Sequence, residues 1–166
     1  YGIAASDSVR ISSSMMSIES DDKGIYSYNE ENDSLGFIYI SDGMFAISSS
    51  GNAIDASSIL LIDGGAFNIS AVSSASSTEN EKNGYGLIAG EEVSVSSGEF
   101  TFNTSDDAVY SKSNVSITGG SFTITSDSNG IYGENTVLIG EANIAIEKSY
   151  IGVQGHTVFV QDASLN

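Results

Sequence analysis

The sequence predicts an all-β chain: a right-handed parallel β-helix (a β-solenoid) of about seven coils, each a 22-residue repeat with three strands. Three observations predict it. A short motif of a small residue followed by an aliphatic one recurs along the chain. Apolar residues then follow each motif at constant offsets. Glycine-bearing turns separate the later apolar pairs.

The motif opens at Gly2, Gly24, Ala53, Gly86, Ala108, Gly130 and Gly152, so the spacings are 22, 29, 33, 22, 22 and 22. Apolar side chains sit 1, 7, 9, 14 and 16 residues after each start. The fifth repeat carries Val109, Val115, Ile117, Phe122 and Ile124, and the sixth Ile131, Val137, Ile139, Ile144 and Ile146. The first, third and fourth repeats obey the same rule without a gap, from Ile3 to Ile18, Ile54 to Ile69 and Leu87 to Phe102. Residues two apart point to one face of a strand, so each pair is expected to face inward.

Between the second and third strands lie Gly64-Gly65, Ser97-Gly98 and Gly119-Gly120, where glycine permits positive φ. Parallel crossovers are overwhelmingly right-handed, hence the expected hand. Two repeats are lengthened by polar insertions near residues 28–35 and 70–85, and the seventh is one residue short. Insertions confined to turns suit a stack of repeats. A helical reading fails, because no 3.6-residue period is present and Ser, Gly, Thr and Asn form helices poorly.

The 166 residues form one expected domain, 1–166, with 40% hydrophobic residues and no cysteine. Because the first residues already stand in repeat register and the last stop partway through a coil, the domain is expected to be a fragment of a longer protein. Five Lys and Arg against 22 Asp and Glu give a net charge of −17. Such a surface repels phosphate backbones and attracts divalent cations, so nucleic acid is excluded as an expected partner. No run of roughly 18 apolar residues is present to insert in a bilayer.

Asp106 and Asp107 precede the fifth coil, and Asp127, Ser128 and Asn129 hold the same corner one repeat later. Asp21 and Asp22 stand at the equivalent place before the second. Stacked about 4.8 Å apart, the oxygens of Asp106, Asp107, Asp127 and Asn129 could share a calcium ion with turn carbonyls. Asp and Asn also favour tight turns, where they hydrogen-bond their own backbone.

Two residues into each repeat, the outward file reads Ala4, Tyr26, Asp55, Ile88, Tyr110, Tyr132 and Gln154. Tyr110 and Tyr132, with Tyr26 farther along, offer rings on which a sugar could pack, with hydroxyl tips at the edge. Cross-strand aromatic pairs also serve simply to stabilise a sheet.

Lys112, Glu134 and His156 share one offset and are the place where lyase chemistry would be sought, since it needs a base and a cation. An exposed turn of alternating charge is the simpler account and the one expected, since such pairs are ordinary surface features. The acid pairs Glu30-Glu31 and Glu91-Glu92 are adjacent in sequence, which does not place two carboxyls across a cleft as glycoside hydrolysis requires. No nucleophile elbow, phosphate loop or histidine metal motif occurs, so no enzymatic activity is expected.

The passage Asp106-Asp107-Ala108-Val109-Tyr110-Ser111-Lys112-Ser113-Asn114-Val115-Ser116-Ile117-Thr118-Gly119-Gly120-Ser121-Phe122-Thr123-Ile124 resembles the pectate-lyase-like β-helix carbohydrate-binding domains of bacterial cell-surface proteins. That family repeats an Asp-Asp-Gly-Ile opening, a strand, Gly-Gly and a second strand. Here Ala108 follows the Asp pair, and the pair is missing before the fourth, sixth and seventh coils. The resemblance implies calcium-assisted, non-catalytic binding of a plant-type polysaccharide by a secreted or cell-surface protein. The alternatives are a structural stalk or adhesin segment, and after that a polysaccharide lyase.

Overall fold

The computed structural model describes residues 1–32, 34–73 and 84–166, and within them the regular structure is all β-strand. The insertion expected near 70–85 therefore lies mostly outside the described residues. Every strand pairing is parallel. Each strand lies beside its counterpart one repeat away, so Val93 pairs with Val115 and Phe100 with Phe122.

The distribution of strands between sheets corrects the expectation of a right-handed seven-coil β-helix with three strands per coil. The first and second strands of the repeats are hydrogen-bonded into one 12-stranded sheet. Its main path starts at Ile3–Ala5, climbs through the first strands to Asn129–Gly140, and returns through the second strands to Ser8–Ile11. The path is a nearly closed barrel whose two ends are consecutive strands. The third strands, from Ser14–Ser20 to Ser164–Leu165, make a separate seven-stranded parallel sheet.

The physical cause lies in the sixth and seventh repeats. There Gly133 and Gly155 stand inside the continuous strands Asn129–Gly140 and Ile151–Gln161, whose pairing absorbs a register shift after Gly133. In earlier repeats a two-residue break such as Ser57-Ser58 or Lys112-Ser113 ends the first strand. Apolar periodicity defines which side chains face inward. It does not say whether the backbone between two strands bends or stays extended.

The inward positions are those the offsets single out. Ile25, Ile54, Leu87, Val109 and Ile131 are fully buried, as are Leu60, Val93 and Ile117. Along the small sheet, Phe45, Phe67, Phe100 and Phe122 stack with ring centroids 4.6, 4.7 and 4.7 Å apart. The terminal strand of the large sheet, Ile151–Gln161, differs: Val158 and Val160 are exposed, since only Asn129–Gly140 pairs with it.

Leading into the small sheet, Gly98 (φ 125°) and Gly120 (φ 99°) form part of a glycine column. A Cβ at Gly120 would lie 2.9 Å from the Gly98 carbonyl oxygen, so the column lets neighbouring turns approach closely.

Candidate functional site

The outward file of the first strands is assembled as expected. Ala4, Tyr26, Asp55, Ile88, Tyr110, Tyr132 and Gln154 are register partners in succession. Tyr110 and Tyr132 meet with ring centroids 5.5 Å apart. Tyr26 stands three strand spacings from Tyr110, about 14 Å, and so belongs to a different cluster.

That separation creates a groove of about 420 Å³ bordered by Lys23, Tyr26, Tyr28, Asn29, Glu30, Asp55, Ile88 and Lys112. Asp55 and Ile88, which interrupt the tyrosine file, occupy its middle. On one side Tyr26 packs on Tyr1 and stacks on Tyr28, with centroids 5.2 and 5.8 Å apart and an interplanar angle of 13° for the second pair. Beyond the groove, Tyr85, Tyr110 and Tyr132 form the second aromatic group, Tyr85 lying 5.0 Å from Tyr110.

Polar groups in the groove are held in place. Lys23 Nζ lies 2.7 Å from Asp55 Oδ2 and 4.0 Å from the centre of the Tyr26 ring. Burial would lower the Lys23 pKa, but the Asp55 carboxylate outweighs it and the net shift is upward. Asp55 also accepts a hydrogen bond from Asn52 Nδ2 at 2.7 Å, while Asn52 Oδ1 accepts from the backbone N–H groups of Gly84 and Tyr85. Tyr26 keeps its proton to higher pH, first through burial and also through the nearby Asp55 charge, which the Lys23 ammonium opposes.

Tyr28 and Asn29 come from the first insertion, whose polar composition does not advertise a site. Asn29 Oδ1 accepts from the N–H groups of Glu31 and Asn32, 3.0 and 2.9 Å away, folding the insertion into an Asx turn. The turn sets Tyr28 against Tyr26, and its hydroxyl donates to Glu30. The signal in the sequence is an aromatic residue at the start of a length change, two residues after an outward tyrosine. Tyr85 was missed for the same reason, since it borders the second insertion.

At the acidic corner, Asp106, Asp107 and Asn129 are all buried. Asp107 Oδ1 accepts from the Asn129 N–H at 2.7 Å, and Asp106 Oδ1 from the Asp107 N–H at 3.1 Å. The Asp106 carbonyl takes hydroxyl bonds from Thr104 and Ser126, at 2.7 and 2.8 Å. Tyr85 lies beside this pair: burial first, and then the Asp106 and Asp107 charges, raise its pKa well above the ordinary range. Asp127 is exposed and turns to Lys148. Among the described residues, no group of three or more His, Cys, Asp or Glu is gathered as a metal centre.

The Lys112, Glu134 and His156 column is not assembled as one centre. Glu134 accepts the Tyr110 hydroxyl at 2.6 Å, Lys112 borders the groove, and His156 is exposed on the last long strand.

A family model described as carbohydrate-binding domain-containing protein matches residues 1–130. The chain belongs to this carbohydrate-binding domain family. The match spans the Tyr26 groove, Tyr85, Tyr110 and the acidic corner, ending just before Tyr132, and it makes carbohydrate the partner class. No curated protein and no solved structure matches the chain.

Proposed function

We propose that the chain is a non-catalytic polysaccharide-binding protein, secreted or displayed on a bacterial surface, whose binding groove lies between the Tyr26–Tyr28 pair and the Tyr110–Tyr132 pair. The observation that carries this reading is a stacked tyrosine pair beside a fixed Lys23–Asp55 ion pair in an open groove. Sugar rings offer an apolar C–H face to an aromatic ring and hydroxyls to flanking charges, and this groove presents both kinds of partner. Lys23 and Lys112 balance Glu30 and Asp55 locally, so the groove lacks the strong negative charge of the whole chain.

A plant cell-wall polysaccharide is the proposed ligand. Calcium assistance is a separate arm of the proposal at Asp106, Asp107 and Asn129. The donor set fits a cation in part: it holds two buried carboxylates, but each already accepts a backbone N–H, and Asp127 faces Lys148. Calorimetric titration with calcium tests that arm. Heat uptake abolished by Asp107→Asn supports a cation, and no heat leaves a hydrogen-bonded corner.

The groove itself is tested by retention on insoluble cellulose and pectin in the presence of chelator. The double variant Tyr26→Ala, Tyr28→Ala is expected to lose about tenfold in affinity, since stacked aromatic contacts contribute about 0.5–1.5 kcal/mol each. Its melting temperature is checked alongside to separate lost binding from lost folding. Unchanged retention by a folded double variant would sink the proposal. Release of unsaturated sugars from polygalacturonate would replace it with a lyase.

A further inference from the structure

A second groove, of about 600 Å³, lies on the outer face of the second strands. Arg10, Tyr39, Leu61, Ser94 and Ser116 are register partners across that face. The first three repeats thus carry a cation, an aromatic and an aliphatic residue where the next two carry serine. Phe37 and Ile59, two residues before Tyr39 and Leu61 on the same face, extend the apolar patch, where Glu92 and Asn114 follow in the later repeats. Two serine-bearing strands thus bound the patch before the file turns apolar again at Leu138 and Phe159. A generally greasy sheet would show no such limit.

Two features point to a ligand. Arg10 is the sole arginine of the chain, exposed at the groove, with its guanidinium 4.8 Å from the centre of the Phe37 ring. It forms no ion pair among the described residues, despite a net charge of −17. The aromatic contact fixes the guanidinium while leaving its N–H fork available. Independently, the Ser58 hydroxyl is buried at the groove and finds no hydrogen-bond partner among the described residues. A buried hydroxyl left unsatisfied costs about 1–3 kcal/mol, which a ligand hydroxyl reaching it would recover.

We propose that this groove is a second glycan site, selective for a sugar that carries a carboxylate. The proposal rests on the carbohydrate-binding reading but uses different residues from the first groove. Arg10 takes the carboxylate in a bidentate pair. Tyr39, whose hydroxyl is tied to Asp63 at 2.8 Å, and Leu61 pack against the sugar ring. Ser58 and Glu91 take hydroxyls of the ligand. Glu91 precedes the fourth strand of this face, about 14 Å from Arg10 by strand spacing. At 0.15 M salt that exceeds the screening length, so its charge does not cancel the attraction at Arg10.

The test is calorimetry on the whole chain with short oligogalacturonates and their methyl esters, at 0.15 M salt with chelator to exclude cation bridging. The free acid is expected to bind at least about tenfold tighter than the ester, the usual size of one charge-assisted hydrogen-bond contribution. Arg10→Gln should abolish the difference, while Arg10→Lys should keep part of it. The Tyr26→Ala, Tyr28→Ala variant should leave the acid preference intact. Equal affinity for acid and ester, or a preference that survives Arg10→Gln, overturns the proposal. Failure of the first groove reads out separately, as unchanged retention of neutral cellulose by the double tyrosine variant.

Discussion

Asp55 shows how one residue can serve both the fold and the groove. In sequence it merely interrupts a row of tyrosines. In the structure it is 8% exposed and joined to Lys23 and Asn52, and Asn52 in turn holds the backbone at Gly84 and Tyr85. Removing its carboxylate would leave a half-buried ammonium and an amide without their partner. Asp55→Ala is therefore expected to cost about 2–3 kcal/mol in urea unfolding. A double-mutant cycle with Lys23→Ala should return most of that cost as coupling. A loss below about 0.5 kcal/mol would mean that the pair is solvated like an ordinary surface bridge.

Among the elements, the third strands carry the strongest repetitive packing. Phe45, Phe67, Phe100 and Phe122 occupy matched positions of four neighbouring strands, and their near-parallel rings run as a stack through the interior. Phe100 lies in the middle, touching Phe67, Phe102 and Phe122. Phe100→Ala removes a ring that its neighbours on both sides need, and the strands on either side limit collapse. The expected loss is about 3–5 kcal/mol, measured by chemical denaturation. A smaller loss, near 1 kcal/mol, would show that the stack repacks around the gap.

At the scale of the whole molecule, several titrating groups act in one direction. Tyr26, Tyr85 and Tyr110 hold their protons above the ordinary value of 10.0, with burial the first cause at each. Lys23 is likewise shifted up from 10.5, because Asp55 overcomes burial. A raised folded-state pKa gives stability that is complete below the unfolded value and is lost as pH rises through the folded one. Above about pH 10 the unfolded chain releases protons that the folded chain keeps, so stability falls. Melting temperature should be insensitive to these groups from neutrality to about pH 9 and then decline. Tyr85→Phe should make the decline shallower. A profile that stays level to pH 11 contradicts the assignment.

The inward set, the parallel register and the outward file from Ala4 to Gln154 are all legible in the chain before it folds. These follow from a two-residue alternation repeated at a fixed spacing, which any parallel pairing of repeats must respect. The repeat spacing also placed Tyr110 beside Tyr132 and brought Asp106, Asp107 and Asn129 to one corner. That first and second strands share one nearly closed sheet emerges from the folded chain alone, because it depends on whether Gly133 and Gly155 bend or remain extended under hydrogen bonding. Folding alone decided that Asp127 turns to Lys148 and that the Asn29 turn delivers Tyr28 to Tyr26. It also made a groove floor of Asp55 and Ile88, two residues that look in sequence like a flaw in the tyrosine row. Side-chain partners and grooves arise from residues tens of positions apart, and no local period encodes them.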